Sequence, residues 1–142
     1  MSENGLADPI TTAVIGAIRD DDLTAGSALS EDARNTIAQL PEGSALLVVV
    51  RGPNVGARFL LNAEKVTVGR KPKCDIFLDD VTVSRKHANF VREEGGYVVR
   101  DAGSLNGTYV NRERVDSIQL KTGDSVQIGK YRMVYYASRR DS

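Results

Sequence analysis

Short apolar stretches separated by turn-forming residues dominate the chain from Pro41 onward. Glycine, proline, asparagine and aspartate interrupt these stretches repeatedly, and no long segment has the period of about 3.6 residues that marks an amphipathic helix. Gly129-Lys130, between two apolar stretches, is typical of a two-residue hairpin turn. Many short strands at this spacing favour an all-β antiparallel sandwich or barrel. The predicted strands lie at residues 45–50, 58–61, 66–68, 75–78, 87–92, 97–100, 108–110, 125–128 and 131–136.

Residues 1–42 differ in character, and we interpret them as a flexible N-terminal tail before a domain at residues 43–138 and a polar end at 139–142. The first 40 residues contain no aromatic side chain and carry three consecutive aspartates at 20–22, so they bury too little apolar surface to offset the entropy of ordering. Ser30 is placed to cap a short helix on which Ala33, Ile37 and Leu40 share one face. We expect this helix to be transient, or ordered only against a partner, because about three turns are marginal alone in water.

The overall charge narrows the possible partners. Lys plus Arg and Asp plus Glu both number 19, giving a formal net charge of +0. A balanced chain has no overall field that attracts nucleic acid or an anionic membrane, so any positive site must be local. The single cysteine, Cys74, excludes an intramolecular disulfide and argues against a cysteine-based metal cluster. We find no signal-peptide pattern and no bilayer-length apolar run, and therefore expect a cytoplasmic protein without nucleic-acid or membrane partners.

Three short polar motifs lie at the ends of predicted strands. Gly69-Arg70 follows the strand at 66–68. Ser84-Arg85-Lys86-His87 leads into the strand at 87–92, and Asn106-Gly107 precedes the strand at 108–110. An arginine offers a planar fork of donors to a phosphate, and a serine hydroxyl can donate to a phosphate oxygen. An asparagine amide both donates and accepts, as a peptide backbone requires. Together the motifs predict a phosphate-binding rim made of loops from separate strands.

Each motif also has a plainer interpretation. Ser84, His87 and Asp101 would compose a hydrolase triad, which we reject because there is no nucleophile elbow and the serine lies only three residues before the histidine. We expect His87 to be a packed residue that holds two loops by hydrogen bonds. Asn106-Gly107 also fits a hairpin turn. Cys74 is interpreted as an ordinary free thiol.

The motifs resemble the forkhead-associated (FHA) domain, whose pattern is Gly-Arg, then Ser-x-x-His, then Asn-Gly at about this spacing. The resemblance covers roughly residues 44–137, and three motifs agree in order, spacing and strand context. Residues 75–85 and 103–112 are similar to one subfamily, that of the actinobacterial oxoglutarate dehydrogenase inhibitors and glycogen-accumulation regulators. The resemblance implies a two-sheet β-sandwich that binds phosphothreonine peptides through loops at one end, without catalysis, metal or cofactor.

The resemblance also implies roles for individual residues. Arg70, Ser84 and Arg85 would contact the phosphate, and Asn106 would contact the backbone of the peptide. The residues with an architectural role would be Gly69, His87 and Gly107. Many eukaryotic members have a phosphate-contacting threonine where this chain has Leu105, so the other donors must suffice here.

In the subfamily, a threonine pair in the tail is phosphorylated by Ser/Thr protein kinases, and the tail then binds its own FHA domain. Thr11-Thr12 resembles that pair, with Thr12 the preferred site, although Ile10 and Ala13 depart from the motif. The implied function is a regulator that binds and inhibits central metabolic enzymes, oxoglutarate dehydrogenase first, until its tail is phosphorylated. The alternative is an adaptor that recruits phosphorylated partners such as Ser/Thr kinases, without autoinhibition.

Overall fold

The computed structural model describes residues 30–138, which contain one helix and eleven strands. All nine predicted strands are present, with bounds that differ by at most one residue at either end, and β8 and β9 are additional. The elements are α1 (Glu31–Ala38), β1 (Ala45–Arg51), β2 (Arg58–Leu61), β3 (Lys65–Gly69), β4 (Ile76–Phe77), β5 (Ala88–Glu93), β6 (Gly96–Asp101), β7 (Thr108–Val110), β8 (Glu113–Val115), β9 (Ser117–Gln119), β10 (Ser125–Ile128) and β11 (Tyr131–Ala137).

The strands form two sheets, in the orders β2-β1-β11-β10-β7-β8 and β4-β3-β5-β6-β9. The core between the sheets is built from alternate residues of their strands, including the fully buried Leu47, Phe90 and Tyr135. Neighbouring strands pair antiparallel except for β3 and β4, which run parallel, with Val68 opposite Ile76. The predicted two-sheet antiparallel sandwich is therefore confirmed, with one parallel pair at the edge of the second sheet.

Helix α1 covers the outer face of the first sheet. The Ser30 side chain caps it by accepting a hydrogen bond from Ala33 N at 3.0 Å, as the sequence predicts. Ile37 packs in a second apolar cluster with residues that point away from the sandwich core, among them Leu46 and Tyr136. The helix therefore packs against the domain itself, whereas the sequence predicts a helix that is transient or ordered only against a partner.

The segment after α1 is also tied to the sandwich. Arg92 Nε donates to Gly43 O at 2.9 Å, and Ser138 N donates to Ser44 O at 3.0 Å. The Ser138 hydroxyl donates to Leu40 O at 3.1 Å. These bonds join residues 40–44 to β5 and to the last described residue, so this segment is part of the packed structure together with α1.

Candidate functional site

The topology brings the three predicted motifs to one end of the sandwich. β3 and β6 both run antiparallel to β5, so the carboxyl ends of β3 and β6 lie beside the amino end of β5. The loop at residues 70–75 leaves β3, the loop at 78–87 enters β5, and the loop at 102–107 leaves β6 for β7 in the other sheet. The loop at 102–107 thus crosses between sheets, and the hairpin interpretation of Asn106-Gly107 is wrong.

Gly69 allows the first two of these loops to touch. A Cβ atom at this position would lie 2.8 Å from the carbonyl carbon of Arg85 and closer still to its oxygen. The backbone of the two loops is joined by Arg70 N donating to Ser84 O at 3.0 Å and Lys71 N donating to Arg85 O at 3.3 Å. Only a residue without a side chain permits this approach.

The Arg70 side chain is aimed along the same rim. Its Nε donates to Val83 O at 3.1 Å, which holds the guanidinium next to Ser84. The terminal Nη groups of Arg70 make no hydrogen bond within residues 30–138, and the side chain is exposed. Arg70 and Ser84 therefore lie on one rim rather than on opposite faces of the sandwich, with guanidinium donors available to a ligand.

Ser84 and His87 connect the second loop to the third. Ser84 Oγ accepts from Leu105 N at 2.9 Å, so its hydroxyl proton can be donated elsewhere. Ser84 N donates to His87 Nδ1 at 3.0 Å, which places the imidazole proton on Nε2, and Nε2 donates to Gly107 O at 2.9 Å. His87 is fully buried and bridges the two loops. Both of its nitrogens bind backbone groups, so it offers no base to the Ser84 hydroxyl, and a hydrolase triad is excluded.

Asp101 organises the third loop. Its carboxylate accepts from Gly103 N at 2.9 Å, Ser104 N at 3.0 Å and Thr108 Oγ1 at 2.7 Å, and also from the Ser104 hydroxyl. Burial acts to raise the pKa of Asp101, but these hydrogen bonds favour the ionised form and lower the pKa below the ordinary value of 3.8. The carboxylate is thus a structural centre for the loop and contacts its hydroxyls rather than His87.

Asn106 closes the rim against the second loop. Its Nδ2 donates to Thr82 O at 2.9 Å, while the remainder of this exposed side chain makes no hydrogen bond within the described residues. Thr82 in turn accepts, at Oγ1, a 2.9 Å hydrogen bond from Lys130 N in the hairpin between β10 and β11. Asp80 accepts from Thr82 N at 2.9 Å, and hydrogen bonding from Thr82 lowers the pKa of Asp80. Asn106 therefore presents its amide oxygen from a braced position.

The rim is strongly cationic where the first two loops meet. Arg70, Lys71, Lys73 and Arg85 line one open basin together with Pro72. The exposed Arg85 side chain makes no hydrogen bond or ion pair in the part of the chain that the structure describes. A basin with two guanidinium groups, a donating hydroxyl nearby and no acidic lining residue is chemically suited to a phosphate monoester.

Comparison with known proteins decides the family. The FHA domain model matches residues 66–129. The chain is 57% identical over 126 residues to the glycogen accumulation regulator GarA of Mycolicibacterium smegmatis, covering 88% of this chain and 80% of the relative. It is 65% identical over 98 residues to the oxoglutarate dehydrogenase inhibitor of Corynebacterium efficiens, covering 69% of each chain. The chain belongs to the FHA-domain family.

A solved FHA domain has the same fold. A structure described as a structural and functional analysis of phosphothreonine-dependent FHA domain interactions superimposes with a TM-score of 0.60 at 27% identity, over 65% of this chain and 94% of the other. The two curated relatives are named as a regulator and an inhibitor, not as enzymes. The geometry agrees, because the serine and histidine of this FHA domain are not arranged for catalysis.

Sequence reasoning singled out the residues at the surface of the FHA rim but missed most of those that brace it. Asp101 was considered only as a triad member, and Ser104, Thr108 and Thr82 received no role. Aspartate followed by glycine and serine is a recognisable turn signal, because carboxylates accept from backbone N–H groups two and three residues onward. That signal identifies the Asp101 loop but not its contact with Thr108 across the turn.

The predicted phosphorylation sites Thr11 and Thr12 lie outside the described residues 30–138. Within those residues, no group of three or more potential metal ligands is assembled. Helices long and apolar enough to cross a bilayer are also absent from this part of the chain.

Proposed function

We propose that this protein is a phosphothreonine-binding regulator that binds and inhibits central metabolic enzymes and is switched off by phosphorylation of its own tail. In this assignment Arg70, Ser84 and Arg85 bind the phosphate, and Asn106 binds the backbone of the phosphorylated segment. The observation that carries the proposal is the convergence of Arg70 and Ser84, joined through the Arg70 N to Ser84 O bond at 3.0 Å. Gly69, His87 and Gly107 hold the contributing loops together.

The chemistry of the rim explains a preference for phosphate over a carboxylate. A phosphothreonine carries about −1.5 to −2 charges at neutral pH and three acceptor oxygens. Arg70 and Arg85 supply two delocalised cations, and the Ser84 hydroxyl supplies a neutral donor. A carboxylate has fewer acceptor oxygens and less charge, so it would leave part of this donor set without a partner.

The nature of the target is inferred from the relatives and from the surface around the site. The similar proteins are named as a glycogen accumulation regulator and an oxoglutarate dehydrogenase inhibitor, which makes oxoglutarate dehydrogenase the first candidate target. Val81 and Leu105 are 83% and 85% exposed on the loops that carry the site. Large apolar side chains this exposed beside a polar site are suited to contact with a protein surface.

The switch follows from tethering. A Ser/Thr protein kinase would phosphorylate Thr12, or its neighbour Thr11, and the phosphate would occupy the rim of the same molecule. A short tether raises the effective ligand concentration to about the millimolar range, so even a weak intramolecular site is filled. The occupied rim would then be closed to the metabolic enzyme and to other phosphothreonine peptides.

The site is tested by binding of a phosphothreonine peptide to the unphosphorylated chain. Arg70→Ala and Ser84→Ala should each weaken binding, by about tenfold or more for the arginine, because a charge-assisted hydrogen bond contributes about 1.5–3 kcal/mol and some donors remain. Arg34→Ala is the matched control, since Arg34 is exposed on α1 away from the rim. Unchanged affinity in Arg70→Ala, with the thermal unfolding midpoint preserved, would remove the basis of the proposal.

Inhibition and its release are tested with purified oxoglutarate dehydrogenase complex. Unmodified protein should inhibit the enzyme, and protein treated with a Ser/Thr kinase should not. The Thr11→Ala, Thr12→Ala double variant should remain inhibitory after kinase treatment. Loss of inhibition in that variant would place the switch at another residue.

An adaptor function is the second candidate, favoured by the likeness to a domain studied for phosphothreonine-dependent interactions. An adaptor would recruit phosphorylated partners such as Ser/Thr kinases and would not block itself. Kinase treatment therefore separates the two functions: retained binding of an external phosphothreonine peptide supports the adaptor, and loss of that binding supports the autoinhibited regulator.

A further inference from the structure

A second positively charged cavity adjoins the phosphate-binding rim. This cavity has a volume of about 270 Å³. We call it the lysine basin, because four lysines line it: Lys65, Lys71, Lys73 and Lys86. Lys71 and Lys73 also line the basin that contains Arg70 and Arg85, so the two cavities are neighbours on either side of these two lysines. The proposed phosphate site accounts for the arginines but not for these four lysines.

Hydrogen bonds fix the backbone of the loop that forms part of the lysine basin. Cys74 N donates to Lys71 O at 2.9 Å, and Lys71 N donates to Arg85 O at 3.3 Å, which fixes the loop that carries two of the lysines. Thr67 and Asp75 close the base of that loop, since Asp75 N donates to Thr67 Oγ1 at 2.9 Å. The lysines are therefore grouped by the fold.

The four ammonium groups lack neutralising partners in residues 30–138. None of them takes part in an ion pair there, although pairs form elsewhere, such as Lys130 with Asp80 at 3.7 Å. Asp75 is the carboxylate adjacent to the basin, and it accepts hydrogen bonds from Thr67 N at 2.9 Å and Thr67 Oγ1 at 3.1 Å. Four grouped cations beside one carboxylate repel one another, so an acidic ligand would relieve the repulsion.

The distribution of charge along the chain points to a ligand within the same molecule. Residues 1–29 contain five acidic residues and one arginine, so they carry a net charge of −4. Because the whole chain has a net charge of +0, residues 30–142 carry +4. Three of the five acidic residues are consecutive, at Asp20-Asp21-Asp22, which is the longest run of acidic residues in the sequence.

We propose that Asp20-Asp21-Asp22 docks in the lysine basin when a phosphorylated threonine of the same tail occupies the arginine-lined rim. The proposal rests on the proposed phosphothreonine site and adds a second anchor to it. Seven residues lie between Thr12 and Asp20 and seven lie between Asp22 and Ser30, so each segment covers eight residue steps. Each segment spans up to about 26–29 Å when extended. This length exceeds the separation of about 10 Å between packed sheets.

The test measures how strongly the phosphorylated tail blocks the rim. The full chain is phosphorylated with a Ser/Thr kinase, and the apparent affinity of a short external phosphothreonine peptide without acidic residues is measured by fluorescence anisotropy. The same measurement on unphosphorylated protein gives the affinity of the open site. The ratio of the two affinities reports self-binding, and it is compared among wild type, a D20N/D21N/D22N variant and a K71Q/K73Q/K86Q variant.

Removing either half of the contact should reduce that ratio by about fivefold or more, since three surface ion pairs are lost. Combining the two variants should produce no further reduction, because they remove the same interaction. Lys121→Gln is the matched control, since Lys121 is exposed and lies outside both basins. The difference in this ratio between wild type and the two variants should become smaller as the salt concentration is raised, because screening shortens the range of the electrostatic attraction to about 3 Å at 1 M ionic strength.

The outcomes separate this inference from the proposed function. If the external peptide fails to bind unphosphorylated wild type, the phosphothreonine site itself is wrong. If it binds phosphorylated and unphosphorylated chains equally, there is no self-binding and both the switch and the acidic anchor are overturned. If the phosphorylated tail blocks the rim equally in wild type and in the aspartate and lysine variants, the docking of Asp20-Asp21-Asp22 alone is refuted.

Discussion

Replacement of Gly69 by alanine tests whether contact between the first two loops creates the site. The added Cβ would lie 2.8 Å from the carbonyl carbon of Arg85 and 3.0 Å from Cys74 Sγ. Cβ atoms essentially never approach backbone atoms closer than 3.0 Å, so one of the two loops must move. The φ angle of Gly69 is not positive, so the effect comes from the close approach and not from backbone strain.

The expected loss in the free energy of unfolding follows from the hydrogen bonds that this loop movement weakens. Separation of the loops weakens the bonds from Arg70 N to Ser84 O at 3.0 Å and from Lys71 N to Arg85 O at 3.3 Å. Two hydrogen bonds contribute about 1–3 kcal/mol, and overpacking costs about 1–3 kcal/mol more. Alanine regains about 0.4–1 kcal/mol by restricting the unfolded chain. We therefore expect the free energy of unfolding to fall by about 1–5 kcal/mol.

The assay is urea unfolding together with binding of a phosphothreonine peptide. Gly69→Ala should lower the urea midpoint without changing the slope, and should weaken peptide binding at least about tenfold, because Arg70 and Ser84 are displaced relative to each other. Gly96→Ala is the matched control: Gly96 also lies in a strand without a positive φ, but its nearest contact is the flexible Gln119 side chain at 3.3 Å. A Gly69→Ala protein with wild-type stability and affinity would refute this account of the rim.

Two further predictions concern the bracing of the domain. Asp101→Asn should lower the free energy of unfolding by about 1–3 kcal/mol at neutral pH, since the carboxylate accepts hydrogen bonds from two backbone N–H groups and two hydroxyls. Because the folded pKa of Asp101 is lowered, its stabilisation is present above the unfolded value of 3.8 and is lost as the pH falls through the folded pKa, so the variant should lose less stability in acid. Ile37→Ala, in the buried face of α1, should cost about 2–3 kcal/mol in thermal or urea unfolding.

Controls for these two predictions are available on the same elements. Asp116→Asn alters an exposed carboxylate next to β9 and should change stability at neutral pH by no more than about 0.5 kcal/mol. Asn35→Ala alters an exposed position of α1 and should change stability by no more than about 0.5 kcal/mol. Equal acid sensitivity of Asp101→Asn and wild type would contradict the role of the carboxylate. Wild-type stability of Ile37→Ala would show that the helix does not pack as described.

The limits of sequence reasoning are visible in particular elements. Gly129-Lys130 was recognised as a hairpin because glycine is the usual residue at a positive φ, and Gly129 has a φ of +59°. The turn between β7 and β8 was missed because its two residues, Asn111 and Arg112, adopt positive φ values of 51° and 74° without a glycine. Here the pairing of Val110 with Glu113 imposes the turn, and arginine gives no local signal of it.

The placement of α1 depends on information in β1, the strand that follows it along the chain. Residues 45–50 are apolar without alternation, and the structure buries both faces of β1: Leu47 faces the sandwich core and Leu46 faces the helix. An uninterrupted apolar strand indicates that a second layer covers the sheet. Read together with the apolar face of Ile37 and Leu40, that run identifies what the helix packs against.

The sequence by itself determined the class of fold, the three motifs and the phosphate chemistry they suggest, because strand period, turn residues and the donor types of arginine and serine are local properties. Tertiary structure decided which groups meet. The approach of Gly69 to Arg85, the bridge from Ser84 through His87 to Gly107, and the grouping of four lysines beside the rim all join residues of different strands. Such contacts depend on strand order and register, which the packing of the two sheets sets and no short stretch of the chain encodes alone.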